Sequence, residues 1–135
     1  MTDLELMRLA EEARKFSYCP YSHFAVGAAL LTTGGKVYTG CNVENASYTP
    51  TNCAERTAVF KAVSEGEKNF AAIAVIGAPE GEAGRFCAPC GVCRQVLAEF
   101  CDPDMKIVMG TPENITVSTL KELLPHSFGK SDLNG

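Results

Sequence analysis

Cys53, Glu55, Cys90 and Cys93 are the residues whose types and spacing carry chemistry. Cys90 and Cys93 form a C-x-x-C preceded by Pro89, and Cys53 stands two residues before Glu55 in C-A-E. Each cysteine motif falls where a helix is expected to begin, with one helix, one strand and one loop between them. Such a unit returns two helix N-termini to the same edge of a sheet, where three thiols meet as a metal site. Structural zinc closes its shell with four protein ligands; catalytic zinc keeps three and leaves a position for water. Three thiols give the open count. Three thiolates around a dication leave an excess of negative charge. Helix N-termini, worth roughly +0.5 charge each, offset part of it. Arg56, one turn into its helix, adds a hydrogen-bond donor for sulfur.

Glu55 supplies the second half of the chemistry. A carboxylate beside an activated water takes its proton and passes it to a substrate nitrogen. A lone C-x-x-C reads equally as a redox motif or a buried pair of small residues. Cys87 extends the spacing to C-x-x-C-x-x-C, but the position an iron–sulfur run needs next is Leu97. As a fourth ligand, Cys87 would close the site and make it structural. Cys19, Cys41 and Cys101 read as packed thiols, and neither His23 nor His126 lies in a cysteine motif. A thiolate zinc site, a non-ligand Glu and P-C-x-x-C together are the pattern of hydrolytic deamination of a nucleobase.

The remaining residues must build a scaffold that positions these groups. The chain has 135 residues, 46% of them apolar and 21% charged, which predicts one globular domain over residues 1–135. Its net charge of −4 argues against nucleic acid or an anionic membrane surface as a partner. The longest apolar runs are too short to span a bilayer. Asp3 and Glu5 replace the basic start of a signal peptide, so the chain is expected in the cytoplasm. Its 7 cysteines are then not read as disulfides.

The Thr2–Glu5 segment predicts a capping box. It opens a helix with Leu6, Leu9, Ala10, Ala13 and Phe16 on one face. Residues 23–32 and 37–42 predict a hairpin about Gly34-Gly35. A second helix starts near Cys53, capped by Thr51 or Asn52, and buries Ala58, Val59, Ala62 and Val63. Residues 70–77 are a continuous apolar run, hence a strand buried on both faces. A third helix opens at Pro89–Cys90 with Val92, Val96, Leu97 and Phe100 inward. Strands at 106–109 and 115–117 follow, then a short helix over 119–124 capped by Ser118 and an irregular tail from Pro125. This order predicts a mixed sheet with helices on both faces.

Four segments then carry a resemblance. They are Y-S-H-F-A-V-G-A-A-L at Tyr21–Leu30, G-C-N-V-E-N-A-S-Y at Gly40–Tyr48, T-N-C-A-E-R at Thr51–Arg56, and P-C-G-V-C-R-Q at Pro89–Gln95. With them the chain resembles, end to end, the small homotetrameric cytidine deaminases of nucleoside salvage. The resemblance implies a three-layer α/β/α sandwich with a five-stranded mixed sheet. It also implies deamination of cytidine and 2′-deoxycytidine, and one zinc per subunit on Cys53, Cys90 and Cys93. Glu55 is then the proton shuttle and Arg56 the residue that neutralises thiolate charge. Asn42 and Glu44 resemble the family's ribose-hydroxyl binders, and Phe24 the aromatic wall on the pyrimidine. The Ala54 amide would meet the base carbonyl. Phe128 resembles the aromatic that a neighbouring subunit adds to the pocket. A deaminase for another cytosine nucleoside, such as blasticidin S, is the alternative enzyme, and a structural-zinc interaction module the alternative of another class.

Overall fold

In a computed structural model, which describes residues 1–134, ten elements follow in order. They are α1 (Asp3–Arg14), β1 (Phe24–Thr32), β2 (Val37–Cys41), α2 (Ala54–Ser64), β3 (Phe70–Pro79), α3 (Gly91–Phe100), β4 (Lys106–Thr111), β5 (Asn114–Thr119), α4 (Leu120–Leu123) and α5 (Lys130–Asn134). The strands form one five-stranded sheet in the order β2-β1-β3-β4-β5. β3 and β4 pair in parallel, and the other neighbours pair antiparallel. Loop-α3 is the crossover that a parallel pair requires.

Alternation along the strands sorts the core into two layers. Ala28, Leu30, Ile73, Val75, Ile107 and Met109 face α2 and α3, where they meet Ala58, Val59, Ala62 and Leu97. Ala29, Ala72, Ala74, Ile76 and Val108 face α1 and meet Leu6, Met7 and Ala10. The α1 side of the sheet is lined largely by alanine, so that helix lies close. A Cβ added at Gly27 would run into the Ala10 carbonyl. On the other face, a Cβ at Gly40 would stand 2.5 Å from the Ala54 carbonyl oxygen and 2.6 Å from the Ala58 nitrogen. Gly40 therefore lets the first turn of α2 rest on β2. Burying each large aliphatic of these layers contributes roughly 1.5–3 kcal/mol.

Several local expectations are corrected. Thr2 caps α1 by accepting from the Glu5 N–H at 3.1 Å. The helix stops at Arg14, so Phe16 lies beyond it and is 79% exposed, while Met7 is buried in its place. Cys53, not Thr51 or Asn52, is the N-cap of α2. Val92, on the first turn of α3, is exposed and not turned inward. β3 runs on to Pro79 and is buried on both faces. Thr119, not Ser118, caps α4, in a capping box with Glu122. The tail is not wholly irregular, because Lys130–Asn134 is helical. No helix among the described residues is long and apolar enough to cross a membrane.

Candidate active site

The N-terminus of β1 and the C-terminal ends of β2 and β3 lie at one end of the sheet, since Phe24 pairs with Pro79 and Gly27 with Cys41. Loops leaving those C-terminal ends lead into α2 and α3. Helix N-termini thus converge outside the carboxyl ends of strands, where open α/β sheets bind ligands. A cavity of about 320 Å³ opens there. Its lining includes Phe24, Asn42, Glu44, Ala54 and Glu55, with Cys53, Cys87 and Cys90 alongside.

Cys53 is the residue before the first turn of α2, and its side chain makes no capping bond. Its sulfur is therefore free to face Cys90 Sγ at 3.7 Å. Cys90 caps α3, its Sγ accepting from the Cys93 N–H at 3.4 Å and lying 3.3 Å from Cys93 Sγ. All three sulfurs lie within 4.8 Å of one another, and no other acidic or histidine group among the described residues joins the cluster. A tetrahedral site with Zn–S bonds near 2.3 Å has sulfur–sulfur edges of about 3.8 Å. The triad fits three corners of that shell and leaves the fourth to a non-protein ligand. Cys87 lines the same cavity but stays outside the triad, and burial pushes its thiol up to about 11.

The electrostatics favour thiolate at Cys53. The hydrogen bond shared with Cys93 and the Arg56 guanidinium bring Cys53 down to about 5. Arg56 Nη2 donates to Cys53 Sγ at 3.3 Å. Cys93 is held in its thiol form by the same bond and by burial. Glu55, only 3% exposed, has its carboxyl raised by burial in the first turn of α2. A raised carboxyl in a cavity wall is suited to accept and return a proton.

Asn42 and Glu44 sit at the rim, each tied to the start of β1. Asn42 Oδ1 accepts from the Val26 N–H at 2.9 Å, and its Nδ2 donates to the Phe24 carbonyl at 2.8 Å. An amide nitrogen has a second hydrogen left to give. Glu44 Oε1 accepts from the N–H groups of Tyr21 and Ser22 at 3.0 and 3.1 Å, and Oε2 accepts from Ser22 Oγ. The Ser22 hydroxyl leads these bonds in holding the Glu44 carboxyl below its usual range. Ser22 was not singled out by the sequence; its place two residues before Phe24 in Y-S-H-F is the signal that was there. Phe128, unlike the other residues expected to bind substrate, does not line this chain's own cavity. It is 62% exposed, with its carbonyl accepting from Gln95 Nε2 at 2.8 Å.

Residues 1–111 match the family model of the cytidine and deoxycytidylate deaminase zinc-binding region. The chain belongs to this family. It is 48% identical over 131 residues to a cytidine deaminase of Sporosarcina psychrophila, covering 96% of this chain and 93% of the relative. It is 50% identical over 130 residues to a cytidine deaminase of Halalkalibacterium halodurans, covering 96% of each. The crystal structure of a cytidine deaminase from Burkholderia pseudomallei superposes with a TM-score of 0.86 at 48% identity, covering 95% of this chain and all of that one. The five-stranded mixed sheet with helices on both faces is thus the fold of this deaminase family, whose model is a zinc-binding region, and the thiol triad is a cluster able to hold a metal ion.

Proposed function

We propose that this chain, as one catalytic domain over residues 1–135, hydrolyses cytidine and 2′-deoxycytidine to uridine and 2′-deoxyuridine with release of ammonia. The observation that carries the reading is Glu55, buried in the cavity wall two residues from Cys53 and beside three converging thiols. A structural-zinc module gives such a carboxylate no work.

Cys53, Cys90 and Cys93 would hold zinc, which when bound would supply a Lewis acid that brings the pKa of a water to about 7. Glu55 takes the proton of the attacking water and hands it to N3 as the C4–O bond forms. Glu55 next takes the remaining proton of the C4 hydroxyl and delivers it to the amino nitrogen; the C4=O bond forms as the C4–N bond breaks, and ammonia leaves. The atoms balance, one water in and one ammonia out. Burial favours the protonated form of Glu55 midway through this cycle. Arg56 offsets the thiolate charge at Cys53. Phe24 offers its ring to the pyrimidine, and the Ala54 N–H, in the first turn of α2 and without an intrahelical acceptor, is directed to the base carbonyl. Asn42 and Glu44 hold the sugar hydroxyls and convert binding into alignment.

The substrate is a free nucleoside and not a polynucleotide: an acidic chain offers no track for phosphates. We further propose a homotetramer in the cytoplasm, with Phe128 closing a neighbour's cavity. An exposed aromatic on a tail segment, outside its own pocket, supports that role. Metal analysis with an ultraviolet assay of cytidine loss tests the reading. One zinc per chain and steady loss of cytidine are expected. Zinc without turnover of either nucleoside would return the chain to the structural-module reading.

A further inference from the structure

His23 takes no part in the proposed chemistry, yet its backbone is unusual. Its φ is 58°, and His126 is the only other described residue with a side chain at positive φ. A Cβ makes that left-handed region costly, and residues held there against preference cluster where a site needs them. His23 stands between Ser22, which grips Glu44, and Phe24, which lines the cavity.

The kink is what shapes the grip. The His23 N–H donates to the Cys19 carbonyl at 2.9 Å and closes a turn. Within it the N–H groups of Tyr21 and Ser22 both reach Glu44 Oε1. Directly after it the Phe24 N–H donates to Ser22 Oγ at 3.0 Å, fixing the hydroxyl that serves Glu44 Oε2. Glu80 holds His23 from the other side at two points. Its N–H donates to the His23 carbonyl at 2.7 Å, and its Oε1 lies 3.1 Å from His23 Nδ1. Glu80 follows Pro79, the register partner of Phe24. Both side chains of the pair are largely exposed, at 69% and 51%. An exposed pair of this kind adds little to global stability, so its contribution lies in where it holds the turn.

We propose that His23 and Glu80 are a positioning pair that fixes the Tyr21–Phe24 turn around Glu44 and thereby sets affinity for the nucleoside sugar. The proposal rests on the assignment of Glu44 to the sugar hydroxyls. Neither residue of the pair lines the cavity or belongs to the Cys53–Cys90–Cys93 triad, so KM should move while kcat stays.

Steady-state kinetics on zinc-loaded protein test this with Glu80→Ala, His23→Ala, His23→Asn, Glu44→Gln and the double variant Glu80→Ala/Glu44→Gln. Loss of one orienting hydrogen bond corresponds to about a fivefold change. Glu80→Ala and His23→Ala are each expected to raise the cytidine KM by about that factor, with kcat within about twofold and Tm nearly unchanged. His23→Asn, which tolerates positive φ and keeps a side-chain donor, should restore KM. The double variant should be no worse than Glu44→Gln alone, because the pair acts through that carboxylate. Unchanged KM in Glu80→Ala and His23→Ala, or effects that add in full to Glu44→Gln, would overturn the positioning role. If Glu44→Gln alone leaves KM unchanged, the sugar assignment itself fails and takes this inference with it.

Discussion

Arg56 stands one turn along α2 from Cys53 and gives its Nη2 hydrogen to that sulfur at 3.3 Å. The guanidinium therefore touches the thiol cluster and not the cavity beside it, whose lining does not include Arg56. Arg56→Gln removes a positive charge from beside a centre in negative excess. We expect faster loss of zinc to a chelator, with the cytidine KM little changed. A rise in KM with zinc retention intact would assign Arg56 to substrate instead.

The ligand set is tested by metal content. Cys53→Ala, Cys90→Ala and Cys93→Ala should each lose zinc, since two thiolates and water hold it far less well than three. Cys87→Ser should keep both zinc and activity, because its sulfur lies outside the triad. Full zinc retention in any of the first three would remove that residue from the set.

Much of this site is legible in the chain because its chemistry is local. C-A-E and P-C-x-x-C each sit within one helical turn, and a helix start is a place sequence can mark. The continuous apolar run at 70–77 likewise announces a strand covered on both sides. What sequence does not carry is contact across distance. Phe16 and Val92 fit a helical period, but a period cannot say whether another element covers the face, and both are exposed. Thr51 and Asn52 have better capping propensity than Cys53, yet the helix starts after Cys53, which leaves its sulfur uncapped and turned to Cys90. The grip of Ser22 on Glu44 joins residues 22 positions apart, and the left-handed His23 that shapes it belongs to a residue type enriched in that region but still rarely found there, too weak a signal to mark the position.

Glu44 also makes a prediction about acid. Its folded pKa lies below the ordinary value, through the hydrogen bonds of the Ser22 hydroxyl and the neighbouring N–H groups. A carboxylate with a depressed folded pKa adds stability that is present above the unfolded value, about 4.3, and is lost as pH falls through the folded one. The stability difference between the unaltered chain and Glu44→Gln should hold from neutral pH down to about 5 and shrink on further acidification. A difference that grows in acid would contradict the assigned bonds.

Packing of the catalytic helix on β2 depends on the missing side chain of Gly40. Gly40→Ala pushes a methyl to 2.5 Å from the Ala54 carbonyl oxygen, so α2 must move with Cys53 and Glu55 on it. Overpacking of this kind costs about 1–3 kcal/mol. Thermal unfolding should fall by several degrees, and turnover should drop with it. Normal Tm and activity would show that α2 is less tightly seated than the contact implies.

The proposed sharing of the cavity between subunits is tested by mixing. Phe128→Ala chains should retain zinc and lose catalytic efficiency. Combined with Glu55→Gln chains under conditions that exchange subunits, they should show activity above the mean of the two parents, since some sites would regain both residues. No rise after verified exchange, or a fully active monomer, would end the shared-site proposal.

On the proposed mechanism Glu55 moves the protons while the thiols hold the metal, and Glu55→Gln separates the two. The amide keeps the volume and the burial but carries no titrating proton. A positioned acid–base group contributes about 10²–10⁴-fold, and Glu55 serves more than one transfer here. Turnover of cytidine by Glu55→Gln protein, measured at one zinc per chain, should therefore fall by roughly 10⁴ or more. Near-normal turnover in that zinc-loaded variant would contradict the account.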